Sequence, residues 1–102
     1  MTDRAGPEED RWQLQRRIAF GHAWDEHRFE FPEVMDRDAF ADVIDRIITT
    51  GQRKALSRHR TAFWSEIEQA VVITNSDDPD GGTAFRPDRG RAYFDELLAQ
   101  ST

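Results

Sequence analysis

The chain has no cysteine. That excludes a disulfide framework, a thiolate metal site and a cysteine nucleophile, and it gives no support to an oxidising compartment. No apolar run approaches the roughly 20 residues of a membrane helix, and the polar start from Met1 to Asp10 is unlike a signal peptide. The expectation is a soluble protein. An excess of positive charge is also missing: the formal net charge is -6, which weighs against gripping nucleic acid by bulk electrostatics. Internal repeats and low-complexity tracts are absent, which excludes solenoids and arrays.

What is present fits one domain. A length of 102 residues with 37% hydrophobic and 11% aromatic content supports a single modest core. Residues 1–8 read as a disordered lead-in and residues 9–102 as the domain. Charge is unevenly placed. Arg53, Lys54, Arg58, His59 and Arg60 form a basic segment without an acid among them, and Arg86, Arg89 and Arg91 form another. Acids gather in Glu8-Glu9-Asp10, between Asp25 and Asp45, and in Asp77-Asp78-Pro79-Asp80. A cationic cleft on an acidic protein is compatible with this pattern.

The periodicity predicts a first helix from about Glu9 to His27, with Gly21 as its weak point. Leu14, Ile18 and His22 share one stripe of it; Phe20, Ala23, Trp24 and His27 share another. A connecting segment follows around Pro32. A second helix is capped by Asp36, carries Phe40, Val43, Ile44, Ile47 and Ile48 at helical spacing, and stops at Gly51. The pattern then turns extended, with strands expected at Lys54 to Ser57, Thr61 to Trp64, Ala70 to Asn75 and Thr83 to Arg86. Ser76 to Gly82 is a turn by composition. A short closing helix after Asp88 is expected to bury Tyr93, Phe94, Leu97 and Leu98. The fold class is therefore α+β: N-terminal helices packed on one face of a small antiparallel sheet of about four strands, with a short C-terminal helix.

Histidine is the side chain best suited to proton exchange near neutral pH, and His22 and His27 flank Trp24 at the end of the first helical segment. On an unbroken helix, five residues place them roughly 140° apart, so one reacting atom would not meet both. Zinc helices present histidines four residues apart on one face, which makes a metal site a poor fit. RNA cleavage without a metal needs a base, an acid and donors or cations on the phosphate. His22 and His27 with Lys54, Ser57, Arg60, Thr61, Thr83 and Arg86 contain all three kinds of group. Arg86 is expected to stand displayed on an edge strand, with Phe85 on the opposite face. The bland readings are a surface histidine at 22, a helix-end cation at 27, a solvated edge charge at 86, and an exposed turn residue at His59. Trp12, Trp24, Phe63 and Trp64 could stack on bases, but core packing is the favoured role.

Taken together, His22-Ala23-Trp24 with His27, the Ile- and Phe-rich helix, Thr61-Ala62-Phe63-Trp64, Val71-Val72-Ile73, Gly82-Thr83-Ala84-Phe85-Arg86-Pro87 and Tyr93-Phe94 resemble the C-terminal toxin domains of bacterial polymorphic toxin systems. Within these the chain is similar to the metal-independent ribonucleases of the barnase, EndoU, colicin and RelE-like (BECR) group, over about residues 12 to 98. The resemblance implies an active-site histidine from the helical part set against an antiparallel sheet. Its open face would carry arginine, lysine and serine or threonine. It further implies His27 as general base or acid, with His22 as its partner or a phosphate ligand. Arg86 and Arg60 would hold the scissile phosphate and Thr83 would donate to it. Lys54 and Tyr93 would be further substrate contacts. No cofactor and no metal are implied. The implied partners are an RNA substrate in the bacterial cytoplasm, reached as part of a larger delivered protein, and a cognate immunity or antitoxin protein.

The expected function is therefore RNA cleavage through 2′-hydroxyl attack, giving a 2′,3′-cyclic phosphate. The alternative is a non-catalytic acidic domain, such as an immunity or antitoxin protein, that mimics nucleic acid toward a basic partner. A transcriptional regulator fits worse, because no basic recognition helix is present. The nuclease reading needs a histidine and cations in one cleft; the interaction reading needs neither.

Overall fold

The computed structural model describes residues 7–99, with side chains from residue 13 onward; the expected lead-in as far as residue 6 and the Trp12 side chain lie outside the described residues. The first long helix, α1 (Pro7–Phe20), stops where the sequence has its weak point, at Gly21, and α2 (His22–His27) starts anew. The single helix expected to reach His27 is thus two. Gly21 is needed at the break because a β-carbon there would lie 2.7 Å from the Asp80 side chain and 3.0 Å from the Arg17 carbonyl oxygen. A 3-10 turn (Arg28–Glu30) leads into the loop before α3 (Arg37–Thr50). The Asp36 carboxylate accepts the Ala39 N–H at 2.8 Å and so caps α3. Gly51 closes it by donating its N–H to the Ile47 carbonyl at 2.8 Å.

The remaining chain is a meander. Strands β1 (Gln52–Ala55), β2 (Arg60–Ser65), β3 (Ala70–Asn75) and β4 (Gly82–Phe85) pair antiparallel in chain order. Two cross-strand rows matter below: Lys54–Ala62–Ile73–Thr83, and Gln52–Trp64–Val71–Phe85. The first strand begins two residues earlier than the sequence suggests, since Gln52 and Arg53 join the ladder although both are exposed. A last helix, α4 (Arg91–Glu96), follows.

Side-chain alternation along the strands sorts the core into two layers. Phe63, Val72 and Ala84 face α1, α2 and α3, where they pack with Ile18, Ala23, Trp24, Phe31, Phe40, Ile44 and Ile47. Ala62, Trp64 and Val71 face the other way and pack with Leu56 and Phe94 of α4. The N-terminal helices take one face as expected, and α4 takes the second, because Ala62, Trp64, Val71 and Ile73 alternate with the first apolar set and need cover of their own. Leu98, expected in that core, is 87% exposed, because the chain has left helical geometry at Leu97. Phe20 is likewise half exposed, with the Arg16 guanidinium 4.6 Å from its ring centre. Trp24, Phe63 and Trp64 are buried, so stacking on a base is not open to them. Among the described residues no helix is long and apolar enough to cross a membrane.

Gly82 has φ 137°, and a β-carbon there would lie 2.0 Å from the Ile73 carbonyl oxygen. Gly82→Ala therefore breaks the β3–β4 pairing, whereas Asp36→Ala removes one helix cap at a cost of about 1 kcal/mol. Urea unfolding of the two variants should show the larger loss for Gly82→Ala. Equal midpoints would contradict the close approach.

Candidate active site

The helix break does not bring the two histidines together, since it precedes His22 and leaves both on α2. Each takes its own carboxylate. His22 Nδ1 lies 2.5 Å from Asp80 Oδ2, and the same oxygen accepts the His22 backbone N–H at 3.1 Å. Asp80, carried by the β3–β4 turn, thus ties down the start of α2. The hydrogen bond to Asp80 raises the His22 pKa above its ordinary value, and the same contact lowers that of Asp80.

His27 sits at the other end of α2. Its Nδ1 is 2.8 Å from Glu30 Oε2. Glu30 is itself fixed, because its Oε1 accepts the backbone N–H of Arg86 at 2.7 Å. The His27 ring lies against Phe85, with centroids 5.5 Å apart, and Phe85 in turn meets Tyr93 edge-on at 5.2 Å. With Nδ1–H donated to Glu30, the neutral imidazole presents Nε2 as its proton acceptor. Glu26 Oε1, at 3.9 Å from Nε2, stands beyond hydrogen-bond distance.

Where the other expected site residues fall can be read from register. Thr83 and Phe85 share the face of β4 that carries the second core, and Lys54 and Arg60 lie on the same face of β1 and β2. Thr83, Tyr93 and Arg60 are partly exposed there. Helix α4 lies over this face, with Phe94 in the core of Ala62, Trp64 and Val71, while Ile73 and Thr83 remain partly exposed. His27 reaches that face around the β4 edge, on which α2 packs. Register thus places Thr83 and Arg60 on one face of the sheet, and His27 and Tyr93 both pack on Phe85 of that face, while His22 stays at Asp80.

Two expected substrate contacts have other occupations, and a third, Arg60, donates its Nε–H to the Ser57 carbonyl at 3.1 Å. Arg86 is not displayed. Its side chain donates to the backbone carbonyls of Glu68 and Glu30, both at 2.9 Å, and to both oxygens of Glu33, at 3.0 and 2.5 Å. It also lies 4.4 Å from the Phe31 ring centre. The reason is its alternation with Phe85, which turns Arg86 toward the loop bearing Glu30 and Glu33 rather than to solvent. The Arg86 hydrogen bond holds the Glu33 carboxyl below its ordinary range. Lys54 Nζ is likewise engaged, donating to the carbonyls of Phe94 at 2.7 Å and Leu97 at 3.0 Å, so that it caps the end of α4. Reasoning from sequence alone misses Glu30, Glu33 and Asp80. Glu30 follows His27 at the i+3 spacing that a helical turn brings into contact, and that spacing is a readable signal.

Among the described residues, no three histidine or carboxylate groups are placed to hold a metal ion. No protein-family model matches the chain, and no curated protein matches it.

Two consequences can be measured. His22, with its raised folded value, stabilises below the unfolded histidine pKa of about 6.5, and loses that contribution as pH rises through the folded value. Asp80, with its lowered value, stabilises above about 3.9 and loses its contribution as pH falls through the folded value. Their joint effect is thus greatest between about pH 4 and 6.5. Asp80→Asn should lower the His22 pKa in an NMR titration of the imidazole; an unmoved pKa would show that Asp80 is not its cause. Arg86→Ala should cost about 2–4 kcal/mol in chemical denaturation, because it strips hydrogen bonds from the Glu30 and Glu68 carbonyls and takes from Glu33 its cation. A loss below about 0.5 kcal/mol, the range of ordinary surface substitutions, would place Arg86 among them.

Proposed function

We propose that the protein is a metal-independent endoribonuclease of the toxin type, with His27 as its proton-transfer group. The observation that carries this reading is the chain of contacts Arg86 N–H to Glu30 to His27 Nδ1. It fixes one imidazole by a carboxylate and leaves the other ring nitrogen for substrate, beside a sheet face bearing Thr83, Tyr93 and Arg60. A carboxylate that orients an imidazole and stabilises its charged form is a recurring device of acid–base catalysis. In the proposed reaction His27 Nε2 takes the proton of a ribose 2′-hydroxyl as that oxygen attacks the adjacent phosphorus. The bond to the 5′ oxygen breaks, and the imidazolium returns the proton to it. The products are a 2′,3′-cyclic phosphate and a 5′-hydroxyl. Thr83 and Arg60 supply the donors for the phosphate oxygens. Arg86 becomes a positioning residue, acting through Glu30, and Lys54 supports the site by holding α4 in place.

A second reading, a non-catalytic interaction domain for a basic partner, draws on a different patch. Phe29 is 78% and Met35 83% exposed, and Glu26, Glu33 and Asp36, all exposed, stand close to them in sequence. One experiment separates the two readings. Incubated with RNA in EDTA, the wild-type protein should leave 2′,3′-cyclic ends, with His27→Ala reduced by at least about 100-fold and Glu30→Gln reduced less. No cleavage, or equal cleavage by wild type and His27→Ala, would refute the nuclease and favour the interaction domain.

A further inference from the structure

Among the residues whose side chains are described, many arginines are matched to carboxylates. Arg16, Arg37, Arg46, Arg86, Arg89 and Arg91 each make an ion pair. Among the described residues five do not: Arg17, Arg28, Arg53, Arg58 and Arg60. Arg28 stands apart, over the Phe29 ring. Arg53, Arg58 and Arg60 gather with His59 at one end of the sheet, around the turn between β1 and β2, where Arg60 donates to the Ser57 carbonyl at 3.1 Å; Arg17, on α1, donates to the carbonyls of Asp78 and Pro79, both at 3.0 Å. A cavity of about 530 Å³ there is lined by Arg53, Arg58, His59, Arg60, Thr61 and Ser76, among others. A second of about 450 Å³ adjoins it through Arg58 and Arg60, and a third of about 360 Å³ shares His59 and carries Arg17. Asp77 is the one carboxylate among the lining residues of these three cavities.

The turn that presents these cations is built at a backbone cost. Arg58 and His59 have φ of 63° and 61°, in the left-handed region. A hairpin turn with two such residues in succession is ordinarily filled by Asn-Gly or similar pairs, which adopt it with little strain. Here two bulky, basic side chains take those places, both exposed. Strained backbone and neighbouring cations without a carboxylate partner both cost folding free energy, and such features cluster where a protein holds a ligand.

The geometry points to this end of the molecule as a docking site for the phosphodiester backbone of single-stranded RNA, flanking the point of cleavage. The inference rests on the ribonuclease reading above and names how that site takes hold of its substrate. Continuity supports it: Arg60 belongs both to the cationic turn and to the sheet face of Thr83. Its row of the sheet lies four residues from the row of Phe85, against which His27 packs. At about 3.3 Å per residue that is about 13 Å along the strands, a reach that one extended strand of RNA spans in a few nucleotides. It also removes the conflict between an acidic protein and an anionic substrate, since the cations left unmatched are concentrated where the backbone would run.

The test uses the double variant Arg58→Asn with His59→Gly, which removes the Arg58 guanidinium and the His59 imidazole while placing residues suited to the turn, so that misfolding does not confound the result. Arg53→Gln is the second, independent variant. Cleavage of a fluorescent single-stranded RNA oligonucleotide gives kcat and KM. Its anisotropy with the His27→Ala protein, as a function of salt, gives binding. The double variant should raise KM about tenfold with kcat retained, and the slope of log affinity against log salt should shrink by about 0.7 for each phosphate no longer held. Unchanged KM and salt slope in both variants, with cleavage intact, would overturn the docking site and leave the nuclease standing. RNA binding that the variants weaken, without cleavage by any form, would retain the docking site and refute the nuclease. Neither binding nor cleavage by the parent would refute both.

Discussion

The arrangement of the molecule turns on Arg86. Its backbone N–H holds the Glu30 carboxylate, and its guanidinium is shared among the Glu30 carbonyl, the Glu33 carboxylate and the Glu68 carbonyl. One residue at the end of β4 thereby binds the segment that follows α2 and the turn between β2 and β3. Arg46 of α3 also reaches that turn, through Glu68 Oε2 at 3.3 Å. A cation so placed has lost much of its water, and several well-directed oxygens are needed to offset that loss. The same requirement fixes Glu30, and a fixed Glu30 fixes the imidazole of His27. A constraint of folding thus becomes a constraint on the candidate site.

The sheet separates the two tasks. One face is closed by α1, α2 and α3 over a continuous apolar layer. The other carries the small core under α4, and beyond α4's edge it carries polar positions at Arg60 and Thr83. A helix of six residues cannot cover a four-stranded sheet. Its shortness leaves part of the face accessible, and Lys54 holds it there by capping its carbonyls. The short C-terminal helix is therefore a determinant of what the open part of the sheet can receive.

Much of this architecture is legible in the sequence because it rests on periodicity and local capping. Asp36 and the Phe40–Val43–Ile44–Ile47 stripe identify α3, and Val71 to Ile73 with the Asp-Pro-Asp-Gly-Gly turn identify the β3–β4 hairpin. The break at Gly21 is visible as a weak point, yet its cause, the approach of Asp80 from 59 residues further along the chain, is not. The roles of the cations are the least legible. Arg86 and Lys54 read as substrate contacts because their partners, Glu33 and the carbonyls of α4, are far away in the chain. Distant pairing leaves no local pattern, so a sequence displays a cation without revealing whether it is already engaged. His27 is the contrasting case: its Glu30 partner lies within one helical turn, and the contact with Phe85 follows once α2 is laid along β4.

Net charge misleads for the same reason. An excess of acids suggests a surface that repels RNA, but a sum over the chain carries no position. In the folded protein carboxylates and arginines are matched over α3, the Arg86 cluster and the Arg89–Glu96 and Arg91–Glu66 pairs. Matched charges contribute little field beyond a Debye length of about 8 Å. What a polyanion would meet is the remainder, and that remainder differs from place to place: carboxylates near Phe29 and Met35, arginines at the β1–β2 turn. A chain that is acidic in total is consequently cationic at one end of its sheet, and that end is continuous with the face toward which His27 is held.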